Sequence, residues 1–530
     1  MTEPPNPAPR FAGHERSQSQ VVAARRRAPS KALRILTALV LGFAVVTLIV
    51  CAVASLRWRY AHDMPVLGYM GFLVNSGAVP YRDFFDINMP GTYAVFALLG
   101  RVFGWSDLGL RVFDLILLAA LSLATFRWMR PSGRLAAACA SLAFPLYYLW
   151  AGPNTSMERE YIALVPLATA LVLAFGLSGR RLILRGLGVG LLTAAAALVK
   201  PHFVILALPA IAVLFHEAAG SARIGRLATA TAAGLLLPLA ATFGWLLAVG
   251  ALKPFLDVVT KYWPQYAEMT ADGAHEAIRG SARLVYVGQS LLAGLKASFL
   301  PWAFIGIFAI RRESELRKQM LVVSGLVILS AIYPALSGQF FFYHWLPFQY
   351  SVLCAASLAV RLPRTERTNP VALVSRFAVL LLLLLLCAQS LKRVAWESGH
   401  RKYGMADEIA HVLTERMKPG ETVQPLDWTG WSLRGMLMAR AKPATRFLAD
   451  YYLYHQASSP YVQRLRREFM AELNDAKPAF IVEATGENMP WPKGVNEFPE
   501  LQRYIARNYG VVAQESTYRI LQATHQATEP

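Results

Sequence analysis

The chain has 530 residues, 55% hydrophobic and only 16% charged, and its mean hydropathy of +0.37 sets it apart from soluble globular domains in the direction of a membrane protein. A formal charge of +20 would suit nucleic acid if the basic residues lined one face, but they fall in short clusters between apolar runs, the pattern that sets membrane orientation, so nucleic acid is excluded as a partner. Cys51, Cys139, Cys354 and Cys387 each stand alone inside apolar runs with no CxxC spacing, which excludes a disulfide framework and a thiolate metal site.

Residues 1–30, rich in Pro, Ala, Ser and Arg, read as a disordered cytoplasmic tail. Arg25, Arg26, Arg27 and Lys31 then precede the apolar run 33–56, which is longer than a signal h-region and lacks a small-residue cleavage site, so it is expected to stay as a first span running from cytoplasm to outside. Basic clusters at 127–134, 180–185, 223–226, 311–318 and 361–367 are each separated by two apolar runs, as cytoplasmic loops are. Further spans are therefore expected at 108–127, 134–151, 161–178, 186–200, 202–217, 227–249, 289–310, 319–336, 343–360 and 371–391, about eleven in all. The apolar piece 92–104 is too short to cross and contains Arg101, so it belongs to the interface, within an external loop spanning 58–106.

After residue 391 charge, Gly and Pro return. The stretch 392–530 is long enough for a small α/β domain, which an odd number of spans places outside. Amphipathic spacing predicts helices over 407–417 and 501–508, and strand-like runs occur at 423–426, 479–483, 511–512 and 518–521. The expected fold is thus a polytopic α-helical membrane domain, 31–391, followed by an extracytoplasmic α/β domain.

Chemistry concentrates in the stretch 79–90, VPYRDFFDINMP, where Asp83 and Asp86 stand beside Arg82 and several aromatics over the membrane surface. A Walker motif, a GxGxxG after a strand, HExxH and GxSxG are all absent, and the two acids are three apart rather than in the DxD spacing of nucleotide-sugar enzymes. The order of a first span, an external loop with Pro80, Tyr81, Arg82, Asp83 and Phe84, a following Pro90, Gly91, Thr92 and Tyr93, then Gly104 and Leu110 with Arg111, resembles the GT-C membrane glycosyltransferases, above all the protein mannosyltransferase and aminoarabinose transferase branch.

That resemblance implies transfer of a sugar from a polyprenyl-phosphate carrier to an acceptor hydroxyl on the outer face, usually with inversion. The proline- and arginine-rich tail and the high pI point to a bacterial inner membrane, with the C-terminal domain in the periplasm, although the orientation would serve an endoplasmic reticulum membrane equally well. A lipid phosphate is already a good leaving group, so one general base suffices, and Asp83 is the first candidate, with Asp86 second and Arg82 and Arg111 in support. By the same resemblance Lys200 and His202 would meet the carrier phosphate, with Tyr343 and His344 reaching phosphate or sugar. Glu158 and Glu160 would orient the acceptor or, with Asp83, hold a divalent cation. The segment around Lys261 and Trp263, in the long loop 250–288, would cover the site. A transporter or flippase for lipid-linked sugars, and a non-catalytic assembly scaffold, are the rival readings; no duplication of paired broken helices supports the first.

Overall fold

The computed structural model describes residues 31–176, 181–220, 222–270, 278–311, 313–361, 370–399, 403–485 and 497–524. The expected tail, 1–30, lies outside the described residues.

Helices stand at every expected span. Among the described residues, six are long and apolar enough, by length and composition, to cross a membrane: α1 (Lys31–Ser55), α4 (Asp107–Met129, with the turn that follows it), α7 (Leu182–Val199), α9 (Ile224–Ala248), α12 (Arg317–Ser337, with the turn before it) and α14 (Pro370–Gly399). The expected span 289–310 is a pair, α10 (Gly280–Lys296) and α11 (Leu300–Ile310), bent by 66° at its break. The others are shorter: α5 (Arg134–Ala151), α6 (Arg159–Ala174), α8 (Leu208–Ala218) and α13 (Leu346–Ser357). Every residue of α13 is buried. A helix enclosed by protein has its ends satisfied by neighbours and does not have to match the full hydrocarbon thickness. By contrast α1 turns Ile35, Leu39, Val46 and Val53 outward and buries Val40, Ala44 and Cys51, as a lipid-facing helix does.

Close approach of α7 and α9 depends on two glycines. A Cβ on Gly190 would lie 2.2 Å from the Thr231 carbonyl oxygen, and one on Gly234 would lie 2.2 Å from that of Leu187. With no hydrophobic drive between helices in lipid, such small-residue contacts supply the packing. Gly190→Ala should therefore lower stability by about 1–3 kcal/mol through overpacking against backbone that cannot move aside. Thermal unfolding in nanodiscs checks this, and an unchanged midpoint would mean that the two backbones are not in contact.

Within the first loop, α2 (Met64–Asn75) and α3 (Pro90–Phe103) are two short helices packed on each other; α3 keeps Leu98 and Val102 exposed. The C-terminal unit holds a five-stranded sheet of order β2-β1-β3-β5-β4, made from β1 (Thr422–Leu426), β2 (Lys442–Pro443), β3 (Phe480–Ala484), β4 (Tyr509–Gln514) and β5 (Tyr518–Ala523). β1 runs parallel to β2 and β3, with Val423 opposite Phe480, while β5 is antiparallel to β3 and β4. Helices α15 (Met405–Arg416) and α18 (Pro499–Asn508) match the amphipathic spacing; α16 (Trp431–Ala439) and α17 (Pro460–Ala476) were not anticipated from it. This unit rests on the first loop: Arg59 donates to both carboxylate oxygens of Asp407 at 2.7 and 2.8 Å, Arg434 donates to Asp107 at 3.1 Å, and the Tyr69 hydroxyl donates to the Ala441 carbonyl at 2.7 Å.

Candidate functional site

Four chain breaks converge beneath the C-terminal unit. The first follows α1, where His62 adopts φ 54° and Asp63 stands immediately before α2, its side chain left free of any capping bond to the helix. The second is the turn between α5 and α6, which passes through Met157 at φ 56° before Glu158 and α6. The third is the end of α7, where Pro201 stops the helix just after Lys200. The fourth is the approach to α13, where Phe340 at φ 61° precedes the turn Phe342–Trp345. A left-handed conformation costs a non-glycine residue on the order of 1 kcal/mol, and among the described residues three of the seven that adopt it stand at these breaks.

The breaks bring together two linked clusters of charge. His62 Nδ1 lies 2.9 Å from Glu158 Oε1 and 3.2 Å from Asp63 Oδ1, and the Arg159 guanidinium donates to Asp63 and to the side-chain oxygen of Asn88. In the second cluster Lys200 Nζ lies 2.9 Å from Glu160 Oε1, which also accepts from the Tyr333 hydroxyl at 2.8 Å and has His344 Nε2 at 3.5 Å. Arg159 joins the two, reaching the Tyr343 hydroxyl at 3.4 Å. Asn88, Arg159, Lys200, His202, Tyr343 and His344 line a cavity of about 160 Å³, with Trp263 and Tyr266 of the covering loop on its far wall. Nδ1 of His202 and of His344, Oε2 of Glu158 and Oε2 of Glu160 are buried without a hydrogen-bond partner among the described residues. A second cavity, of about 1060 Å³, opens beside Ala61, Pro153 and Asn154, on segments leading into the first cluster.

Titration in the first cluster is shifted. Burial disfavours the His62 imidazolium, yet the charge of Asp63 and hydrogen bonds to Asp63 and Glu158 outweigh it, and its pKa is raised to about 10. Burial likewise opposes the Asp63 carboxylate, and the charges of His62 and Arg159 overcome it, holding Asp63 well below the ordinary carboxylate range. Glu158 moves the other way: burial first, and then the Asp63 charge, push it up to about 7. His62, Asp63 and Glu158 each offer one ligand atom, all within 4.8 Å of one another, so one nitrogen and two carboxylate oxygens could hold a metal ion, whose binding would have to displace the proton that His62 otherwise keeps.

The residues singled out in the sequence divide three ways. Lys200, His202, Tyr343 and His344 line the cavity, Glu160 lies behind its wall in a pair with Lys200, and Glu158 lies just beyond Arg159. Asp83 stands apart on the rim, 35% exposed, with Arg82 Nε at 2.7 Å and Nη2 at 2.8 Å; Arg82 holds its carboxyl below the usual range, and its other bond is to the Val79 amide at 2.8 Å. It is not among the groups positioned for a metal. Asp86 lies under the loop, 1% exposed, and accepts from the Asn88 amide, the Asn88 side chain, and the hydroxyls of Tyr93 and Tyr452. Arg111 is buried between Asp114, Ser55 and Ser156, with its guanidinium 4.4 Å from the centre of the Trp58 ring, and so braces the turn that carries Glu158. Trp263 donates to the Ile87 carbonyl at 3.0 Å, closing the long loop over the site; Lys261 pairs with Asp257.

His62, Asp63, Asn88 and Arg159 were not found by sequence reasoning. One signal was available: two glutamates flanking one arginine at the mouth of an apolar run leave a net negative charge that calls for a basic group elsewhere, and His62, just past the first span, is the basic group in the matching place, with Asp63 beside it.

No family model matches the chain, and no curated protein matches it. Among solved structures, its fold is similar to ArnT from Cupriavidus metallidurans bound to undecaprenyl phosphate, at 16% identity and a TM-score of 0.59, covering 93% of this chain and 99% of that one. The same enzyme in the apo state aligns at 13% identity and a TM-score of 0.58, covering 92% and 98%. The oligosaccharyltransferase of Archaeoglobus fulgidus in its apo form aligns at 13% identity with a TM-score of 0.44, covering 91% and 75%. The chain thus shares the fold of ArnT along nearly its whole length, with helices long and apolar enough to cross a membrane.

Proposed function

We propose that this chain is a glycosyltransferase that moves a sugar from a polyprenyl-phosphate carrier to an acceptor hydroxyl at the extracytoplasmic face of a bacterial inner membrane. The observation that carries this reading is the cavity lined by Lys200 and Arg159, with Arg159 bonded to Asp63 of the adjoining cluster of His62, Asp63 and Glu158, in a fold shared with a protein that binds undecaprenyl phosphate.

Lys200 and Arg159 receive the phosphate, with His202, His344 and Tyr343 supplying further polar contacts from the same walls. Asp63 is the base. It is ionised across the working range, 31% exposed at its side chain, and held in place by Arg159 and His62. As the acceptor oxygen forms its bond to the sugar carbon, its proton passes to Asp63, and the bond from that carbon to the phosphate oxygen breaks with its electron pair leaving on the phosphate; one displacement inverts the carbon. A divalent ion bound by His62, Asp63 and Glu158 would supply positive charge toward the departing phosphate. The second cavity, beside Ala61, offers the acceptor an approach to the first cluster that does not pass through the carrier's pocket.

The test is purified protein in nanodiscs, incubated with polyprenyl-phosphate sugars and an envelope glycolipid extract, with released polyprenyl phosphate read by mass spectrometry. Release establishes transfer; carrier binding with no release from any donor would move the assignment to transport. The pH profile adds a sign. With Glu158 titrating near 7 and its carboxylate needed to hold His62, release should rise as pH climbs through about 7. Glu158→Gln should flatten that limb, and an unchanged limb would remove Glu158 from the mechanism.

A further inference from the structure

The C-terminal unit reaches the loop 79–90 through contacts at Phe85 and Asp86. The Phe85 amide donates to the Arg446 carbonyl at 2.8 Å, the Phe85 ring stacks against Phe447 with centroids 5.7 Å apart, and the Tyr452 hydroxyl donates to Asp86 Oδ1 at 2.5 Å. The last begins a chain of bonds into the site. Asp86 Oδ2 accepts from the Asn88 amide at 3.0 Å and from the Asn88 side-chain nitrogen at 2.7 Å, which fixes both the backbone and the amide plane of Asn88. The Asn88 oxygen is thereby turned to accept from Arg159, whose other arm goes to Asp63.

We propose that Tyr452 is a positioning residue: acting through Asp86 and Asn88, it fixes the Arg159 guanidinium over the carrier-phosphate cavity, so that the site is complete only when the C-terminal unit is docked. This rests on the reading of that cavity as a phosphate site. Asp86 Oδ2 holds the Asn88 amide, the Asn88 side chain and Tyr93, whereas Oδ1 accepts from Tyr452, so the donor from a distant part of the chain both satisfies the second oxygen of this buried carboxylate and sets the plane in which Oδ2 meets Asn88. The Tyr452 ring has a separate packing role, edge-on to Phe85 at 4.9 Å and to Tyr262 at 5.5 Å, and Tyr452→Phe keeps that packing while deleting the hydroxyl.

Two measurements on full-length protein in nanodiscs test it. In hydrogen exchange, Tyr452→Phe should speed the Asn88 amide about tenfold, while amides of α4 exchange as in wild type. In titrations with polyprenyl phosphate, Tyr452→Phe should weaken binding about tenfold, and in an Asn88→Ala background the same change should add less than twofold, because the bond then leads nowhere. Unchanged exchange at Asn88, or additive losses in the double variant, would overturn the proposal. If wild type failed to bind polyprenyl phosphate at all, the phosphate reading would fall while exchange at Asn88 still decided whether Tyr452 holds the loop.

Discussion

Asp63→Asn should reduce release of polyprenyl phosphate by about a thousandfold, within the range that a positioned general base contributes. The substitution keeps size and most contacts but removes the proton acceptor and the charge that holds His62 and Arg159. Asp83→Asn should cost less than about tenfold, because Asp83 sits on the rim in a pair with Arg82 that is partly open to solvent. The comparison is direct: both variants in the same nanodisc assay, at saturating donor. A large loss in Asp83→Asn with little in Asp63→Asn would return the base to the loop 79–90 and leave the first cluster a structural role.

The second large effect falls on stability as well as binding. Glu160 is fully buried at its side chain and Lys200 nearly so, 2.9 Å apart. Removing one partner leaves an uncompensated charge, so Lys200→Met should cost about 3 kcal/mol. It should also abolish carrier binding. Lys200→Met combined with Glu160→Gln removes both charges and should recover most of the lost stability without recovering binding, which separates a folding role from a ligand role. Thermal unfolding and polyprenyl phosphate titration on the three proteins give the answer; recovery of binding in the double variant would mean that Lys200 does not meet the phosphate.

Much of the architecture was legible because hydrophobicity and charge are read along the chain. The apolar runs located each expected helix, and the basic clusters between them gave their order. The bend between α10 and α11 was not legible, since nothing in the apolar content of 289–310 marks a 66° turn. Site residues beside chain breaks, such as Lys200 before Pro201 or His344 before a Leu-Pro pair, stood out because a polar group at the end of an apolar run is conspicuous. Asp63 did not, although it is no less polar. It follows Arg57, Arg59 and His62 in a stretch that reads as an ordinary charged loop, and its importance comes from Glu158 and Arg159, nearly a hundred positions later. Asp83 drew attention for the opposite reason: its aromatic setting is vivid in sequence, and the neighbouring Arg82 satisfies it locally.

The bond between Phe85 and Arg446, and that between Asp86 and Tyr452, join parts of the chain more than 350 residues apart. On a ribosome the loop 79–90 emerges long before its partners do, at the ordinary pace of some tens of seconds for an interval of this length. Throughout that interval the spans can enter the bilayer and pack, but Arg159 has no fully anchored counterpart and the pocket is unfinished. Nascent and prematurely terminated chains would therefore be inserted yet inert, and a costly lipid-linked sugar would not be consumed by a half-made protein.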